Sequence, residues 1–172
     1  MLWGISVYNS LVASDNNVNE KWAQVENQYQ RRIDLIPNLV NTVKGYATHE
    51  QQLFTEIAEL RSGWTKSKEA GDRAGEIDAA VKMDSALGRL LVVVENYPEL
   101  KANENFLALQ SQLEGTENRI AVERMRYNEA LRDYNIQVSS IPDRFIASLA
   151  GFEQKPYFQA KEGAENPPEV VF

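Results

Sequence analysis

An apolar residue recurs at every seventh position between residues 106 and 141. The positions are Phe106, Leu113, Ile120, Tyr127, Tyr134 and Ile141. A repeat of this length predicts one helix that packs against neighbours along one whole side. We expect this helix to begin at Asn103 or Asn105, both good N-cap residues, and to end before Pro142.

A second long helix is predicted over residues 3–45. Its apolar residues alternate steps of three and four, as in the seam of a packed helix. Pro37 lacks a backbone donor and is expected to kink this helix, although the apolar seam continues in phase beyond it. Gly45 is the expected C-cap.

Two shorter helices are predicted between the long ones, over residues 48–65 and 76–97, with a charged, glycine-containing loop at 66–75. A short amphipathic helix at 144–150 and an extended tail from Gly151 follow. Helices joined by short turns pack antiparallel. The sequence therefore predicts an all-α fold, an antiparallel up-and-down four-helix bundle with long first and fourth helices. The bundle would occupy residues 13–150, preceded by an anchor-like segment at 1–12 and followed by the tail at 151–172.

The composition narrows the possible functions. The 172 residues include no cysteine, which excludes disulfides, thiolate nucleophiles and zinc–cysteine sites. The 25 acidic and 18 basic residues give a net charge of −7. Because this charge disfavours attraction to a polyanion, we expect no nucleic-acid partner.

Residues 1–12 are unusually apolar for the start of a chain. One interpretation is a first helical segment that packs on the bundle. The other is the remnant of an N-terminal membrane anchor, with Trp3 and Tyr8 at the membrane interface. The segment has about half of the roughly 20 residues that a membrane span requires.

The sequence contains no recognisable catalytic constellation. His49 is the only histidine, whereas a di-iron bundle needs Glu-x-x-His on two helices. No serine lies in a Gly-x-Ser-x-Gly elbow, and no glycine-rich loop resembles a phosphate cradle. We therefore expect a protein that is not an enzyme and uses no cofactor or metal.

Three charged residues interrupt the apolar faces of the predicted long helices. Arg32 lies in the seam of the first helix, and Glu117 and Arg124 lie on the apolar side of the last. A buried arginine–carboxylate network would explain them and would fix the register of the bundle. The alternative is that these side chains snorkel to the bundle edge.

Several long strings resemble the bacterial LemA family. They are residues 31–40 (RRIDLIPNLV), 43–47 (VKGYA), 97–107 (YPELKANENFL), 116–121 (TENRIA) and the ending that starts at 151–158 (GFEQKPYF). The resemblance extends over residues 8–172. It implies a single N-terminal transmembrane helix followed by a helical bundle, and this sequence departs from that pattern in lacking most of the span. The family has no established molecular function, so the resemblance implies no catalytic residues in this sequence. The family also includes a relative linked to magnetosome formation.

The first functional hypothesis is a single-pass, N-terminally anchored membrane protein that serves as a protein-interaction or scaffold module, with the side of the membrane left open. Candidate residues for the partner surface are Arg31 and Asn38, near the predicted kink, and Lys101, Asn103 and Glu104, around the start of the last long helix. Each of them has an alternative role in helix capping or in hydrogen bonds at the bundle ends.

The second hypothesis is a bundle that binds a small molecule or a lipid. A kink at Pro37 could open a pocket lined by Tyr29, Ile36, Tyr127 and Tyr134. The alternative is that these side chains fill the core.

Overall fold

The computed structural model describes residues 2–158, and these residues form helices and no strand. The helices are α1 (Leu2–Lys44), α2 (Gln51–Ala70), α3 (Arg73–Val94), α4 (Pro98–Lys101), α5 (Glu104–Ser139) and α6 (Asp143–Ala150). The all-α prediction is thus confirmed. The four predicted long helices correspond to α1, α2, α3 and α5, while α4 is an additional single turn and α6 is the short amphipathic helix.

The two longest helices, α1 and α5, run antiparallel. Near the start of α1, Gln137 Nε2 donates a hydrogen bond to Ser10 Oγ (2.8 Å). At the opposite end, Asn103 Nδ2 donates to the hydroxyl of Tyr46 (3.1 Å). With 43 residues, α1 is about 65 Å long at 1.5 Å per residue.

The helices α2 and α3 form a shorter antiparallel pair, which an ion pair between Glu56 and Arg89 bridges. This pair packs beside the second half of α1. Arg73, the first residue of α3, donates to Asn19 Oδ1 (3.0 Å). The part of α1 before Asn19 therefore extends past the turn that joins α2 and α3, and it packs on α5 and α6 instead.

The predicted end of α2 and the predicted start of α3 were wrong, because the glycines between residues 66 and 75 do not mark a long loop. The helix α2 continues to Ala70 and ends at Gly71, whose φ of 68° lies in the left-handed region that favours glycine. Asp72 then caps α3 by accepting a hydrogen bond from the Gly75 N–H (3.0 Å). The predicted ten-residue loop is reduced to a tight turn, and Gly75 lies inside α3.

The prolines act according to their position in each helix. The helix α1 continues through Pro37, so the proline does not end it. Pro98 is the first residue of α4, where a missing backbone donor costs no hydrogen bond. Asn103 caps α5, as predicted, by accepting from the Phe106 N–H (3.1 Å).

The hydrophobic core lies between the two helix pairs and continues beneath the tail. Its largest fully buried side chains come from every long helix. They are Leu11, Ile36, Leu39, Ile57, Trp64, Leu90, Leu100, Phe106, Ile120, Tyr127, Leu131 and Tyr134. Residues 152–158 follow α6 and its C-cap Gly151 as an extended segment, and residues 159–172 of the predicted tail lie outside the described residues.

Candidate functional site

Residues 153–158 lie along α5, which holds them by hydrogen bonds to their backbone. Asn135 donates from Nδ2 to the carbonyl of Lys155 (3.1 Å) and accepts at Oδ1 from the N–H of Lys155 (3.0 Å). Asn128 makes the same pair of bonds with Phe158 (3.0 and 3.1 Å). Each asparagine therefore satisfies both backbone polar groups of one tail residue.

A tyrosine precedes each of these asparagines and adds a third bond. Tyr134 donates its hydroxyl to the carbonyl of Glu153 (3.0 Å), and Tyr127 donates to that of Pro156 (3.0 Å). Burial, followed by the charge of Asp15, raises the pKa of Tyr134 to about 12, and burial also raises the pKa of Tyr127. Both hydroxyls therefore stay protonated and able to donate at neutral pH.

We call the surface formed by Tyr127, Asn128, Tyr134 and Asn135 of α5 with Trp22 of α1 the tail groove. Phe158 is buried in it. Its ring stacks on Trp22 (centroids 5.7 Å apart, 27° between planes) and on Tyr29 (6.1 Å, 11°), and it meets Tyr127 edge-on (6.1 Å, 85°). The guanidinium carbon of Arg124 lies 4.6 Å from the ring centroid, within the range of a cation–π contact.

Lys155 fixes the middle of the tail through its side chain. Its Nζ lies 2.5 Å from Asp15 Oδ1 of α1 and 5.1 Å from the ring centroid of Tyr134. Asn19 Oδ1 accepts a further hydrogen bond from this amine (3.2 Å). Lys155 and Phe158 therefore both enter the groove with their side chains as well as their backbone.

The two arginines of the predicted polar network, Arg32 and Arg124, meet at a carboxylate outside that prediction, Asp84 of α3. Arg32 Nη1 lies 2.6 Å from Asp84 Oδ1, and Arg124 Nη1 lies 3.5 Å from Asp84 Oδ2. The more exposed Glu117 reaches Arg32 Nη2 at 3.7 Å. Tyr29 donates to Asp84 Oδ2 (3.5 Å), and burial together with this carboxylate raises the pKa of its hydroxyl. Asp84 thus joins side chains of α1 and α5 to α3.

Glu76, in the first turn of α3, is a buried acid. Burial, followed by repulsion from Glu26, raises the pKa of Glu76 to about 7, against the opposing effects of Lys68 and Arg73. Within residues 2–158, no three carboxylate or histidine side chains come close enough to hold a metal ion. The buried carboxyl of Glu76 is thus held in its protonated form to a higher pH than an exposed glutamate.

A second groove between α1 and α5 is open to solvent, and it lies nearer the C-terminal end of α1 and the N-terminal end of α5 than the tail groove does. One cavity, of about 310 Å³, is lined by Arg31, Leu35, Ser111, Gln112, Gly115, Thr116 and Arg119. The next, of about 430 Å³, is lined by Asn38, Asn41, Thr42, Asn105, Ala108, Leu109 and Gln112. We call this surface, which joins the two candidate residues Arg31 and Asn38, the polar groove.

The remaining candidates for a partner surface lie around the start of α5. Lys101 Nζ forms an ion pair with Glu95 Oε2 (2.8 Å). Asn103 caps α5 and contacts Tyr46, which corresponds to the capping role that the sequence offered as an alternative. Glu104 is exposed in the first turn of α5, directly before Asn105 of the polar groove.

The side chains proposed to line a ligand pocket at Pro37 are core residues. Tyr29, Ile36, Tyr127 and Tyr134 are each at most 2% exposed. Phe158 of the tail stacks against Tyr29 and meets Tyr127 edge-on. This packing gives no support to a small-molecule or lipid pocket among these four residues.

Exposed apolar side chains gather where α6 packs on the first turns of α1. Gly4 of α1 lies against Ile146 of α6. The solvent-facing side of this end is formed by Leu2, Trp3, Ile5, Ile141, Phe145 and Leu149, which we call the apolar end. Ile141 follows the end of α5 at Ser139 and is exposed, so the heptad repeat overestimates this helix by its last position. Among residues 2–158, no helix is both long enough and apolar enough to cross a membrane.

A repeated dipeptide in the sequence could have indicated the tail groove. Tyr127-Asn128 and Tyr134-Asn135 are the same dipeptide seven residues apart. The heptad accounts for the two tyrosines and gives no role to the asparagines beside them. Asp84 had no comparable signal, because one aspartate on an amphipathic helix is ordinary.

The chain is similar in sequence to proteins named MamQ and LemA. The Magnetosome protein MamQ 2 of Paramagnetospirillum magneticum is 27% identical over 183 residues, which cover 93% of this chain and 67% of that relative. The Magnetosome protein MamQ of Magnetospirillum gryphiswaldense is 25% identical over the same shares. Protein LemA of Metamycoplasma hominis is 22% identical over 154 residues, which cover 90% of this chain and 69% of that protein.

The sequence profile of the LemA family matches residues 21–172. That range contains the buried charge network, the polar groove and the Tyr-Asn repeat that binds the tail. Since the match covers far more than half of the chain and includes every element of both grooves on α5, the chain belongs to the LemA family.

Proposed function

We propose that the chain is a membrane-associated protein-interaction module. In this proposal α1, α2, α3 and α5 act as an antiparallel up-and-down bundle, which attaches to a membrane at its N-terminal end, with the apolar end against the lipid. The polar groove and the start of α5 then face a protein partner. The observation that carries the proposal is the apolar end itself, because exposed apolar patches of this kind mark interaction surfaces.

The side chains of the apolar end are far more exposed than their chemistry favours in water. Leu2 is 86% exposed and Leu149 is 87% exposed, and Phe145 lies one helical turn before Leu149 on the same side of α6. Trp3 adds an aromatic ring of the type that is enriched at membrane interfaces. A lipid surface would remove this area from water without any rearrangement of the fold.

The two proposed surfaces lie far apart. Asn38 follows Trp3 by 35 positions on one continuous helix, which corresponds to about 50 Å. A partner bound at the polar groove would therefore be held well above the membrane. Relatives named as magnetosome proteins and the absence of an enzymatic activity in their names support a non-enzymatic role of this kind.

Vesicle flotation tests the attachment. The full chain is mixed with phosphatidylcholine vesicles, since its net charge of −7 disfavours anionic lipid. Phe145→Ser should lower the bound fraction by roughly tenfold, because a buried aromatic side chain contributes about 2 kcal/mol. Val92→Ser is the matched control, since Val92 on α3 and Phe145 are both 68% exposed. Equal binding of both variants and the parent chain would contradict the proposed attachment.

Site-specific cross-linking tests the partner surface. The chain has no cysteine, so Asn38→Cys provides a unique position for a photoreactive maleimide in the polar groove. Glu59→Cys on α2 is the control outside both grooves. We expect a protein adduct of defined mass from Asn38→Cys in membranes of the native cell and none from the control. The same adducts from both positions would argue against a partner site in the polar groove.

A further inference from the structure

Residues 153–158 are held as a bound peptide is held in a receptor. Every hydrogen bond that Asn128, Asn135, Tyr127 and Tyr134 make with this segment goes to its main chain. Main-chain recognition of an extended segment is a recurring way in which proteins bind peptides. The groove therefore recognises the extended conformation first and the side chains second.

The spacing of the contacts fits an extended chain. A step of seven residues on α5, from Asn135 to Asn128, corresponds to about 10.5 Å of helix. The partners of these asparagines, Lys155 and Phe158, are three residues apart, which corresponds to about 10 Å of extended backbone. The two tyrosines repeat the same match, since their partners Glu153 and Pro156 are also three residues apart. The Tyr-Asn repeat of seven residues on α5 therefore matches hydrogen-bonding positions that recur every three residues in an extended peptide.

Two side chains give this groove its selectivity. One position takes a lysine, which Asp15 pairs at 2.5 Å, and the position three residues later takes an aromatic ring between Trp22 and Arg124. In the full sequence, the pattern Lys-x-x-aromatic occurs at Lys155–Phe158 and nowhere else. The segment that the groove selects is therefore the chain's own tail.

We propose that the tail groove also binds this tail in trans, from a second copy of the chain, so that copies are linked by tail exchange. The chemistry of the groove is the same whichever copy supplies the segment. A single left-handed residue, Gly151 (φ 77°), separates α6 from the tail, so the tail can leave without altering a helix. Exchange of an identical element between copies replaces each contact with an equal one and is a low-cost route to association. This inference does not depend on attachment to a membrane.

Cross-linking between two labelled forms of the full chain tests the exchange. One form carries an affinity tag and Asn19→Cys at the groove, and the other is untagged and carries Gln154→Cys in the tail beside Lys155, so that the ion pair between Asp15 and Lys155 is kept. The two forms are mixed and treated with a short bismaleimide, which can join them only if the tail of one copy lies in the groove of the other. The control is the equivalent mixture with Glu56→Cys and Arg89→Cys, which face each other across two helices with no exchangeable segment.

We expect the tail–groove mixture to give at least roughly fivefold more covalent heterodimer than the control, and the yield to rise with protein concentration. Asn128→Ala with Asn135→Ala in the tagged form should reduce that yield by about tenfold, because each asparagine loses two hydrogen bonds to the tail. A heterodimer yield equal to that of the control mixture would overturn the proposal.

Competition with a free peptide tests the same exchange without any substitution in the asparagines of the groove. An excess of a synthetic peptide with residues 151–158 should suppress the heterodimer, while the same peptide with Phe158→Ala should not. Equal suppression by both peptides, or by neither, would contradict recognition of the tail through Phe158.

Discussion

The helices α1 and α5 form two grooves that differ in what fills them. The tail groove is closed by the chain's own residues 153–158 and by an aromatic cluster around Phe158. The polar groove is open, with cavities of about 310 and 430 Å³. Adjacent residues show a similar contrast between the buried charge network and the polar groove, because Arg32 is buried against Asp84 while Arg31 lines the open groove.

The difference separates residues that stabilise the fold from residues that are available to a partner. Consecutive residues of a helix point about 100° apart, so one arginine can enter the core while its neighbour stays in water. In the tail groove each buried polar group has a partner supplied by the protein. In the polar groove, amide and guanidinium groups line open cavities, where a partner could bind them.

The largest effect is expected at the centre of the buried network. Asp84→Ala should lower the free energy of unfolding by about 3 kcal/mol, because it leaves the buried charge of Arg32 without its closest carboxylate. Urea denaturation followed by circular dichroism measures the change. Asp78→Ala is the control on the same helix, since the exposed ion pair of Asp78 with Lys82 should contribute less than about 1 kcal/mol. Similar losses from both variants would mean that burial does not distinguish the two ion pairs.

The next effect concerns the aromatic ring that closes the tail groove. Phe158→Ala should cost about 2–3 kcal/mol, since it removes a ring that contacts Trp22, Tyr29 and Arg124. It should also increase hydrogen exchange at the amides of Lys155 and Phe158, which donate to the two asparagines. Phe145→Ala, at the exposed apolar end, is the control and should change stability by less than about 0.5 kcal/mol.

Sequence periodicity was sufficient for the helices. The heptad that contains Phe106, Ile120 and Tyr134 predicts α5, because apolar residues at this spacing lie on one side of a helix and can all be buried together. Periodicity failed at Gly75, which lies within α3, because a local cap at Asp72 and the packing of α3 outweigh the low helix propensity of one glycine.

The candidate site was less accessible to sequence analysis. Arg32 and Arg124 were recognised because a charge in an apolar seam needs a partner, yet their partner Asp84 lies on a third helix that periodicity does not place beside them. The bound tail was predicted only as an extended segment. Its contacts depend on Asn128 and Asn135, which also read as ordinary polar residues of a helix surface.

A third prediction concerns pH and the buried acid Glu76, whose neighbour Glu26 is also acidic. Glu76 has an ordinary pKa of 4.5 and a folded-state pKa of about 7, so its contribution to stability is full below about pH 4.5 and declines as the pH rises through 7. Glu76→Gln should remove this decline and stabilise the protein at pH 8 by about 1–2 kcal/mol relative to the parent chain. Urea denaturation at pH 5 and pH 8 provides the measurement, with the exposed Glu104→Gln as the control. The predicted sign would be contradicted if the stability advantage of Glu76→Gln over the parent chain were larger at pH 5 than at pH 8.

The smallest effect is expected in the open groove, and it is the one that separates stability from recognition. The double variant Arg31→Ala with Arg119→Ala should change the free energy of unfolding by less than about 0.5 kcal/mol, because both side chains are exposed and line a solvent-filled cavity. The same variant should weaken the cross-link from Asn38→Cys to a partner, since the guanidinium groups are the strongest donors of that groove. Thermal denaturation and adduct yield are measured on the same preparation. A large loss of stability would assign these arginines to the fold, as Arg32 is, and would remove the distinction between the two grooves.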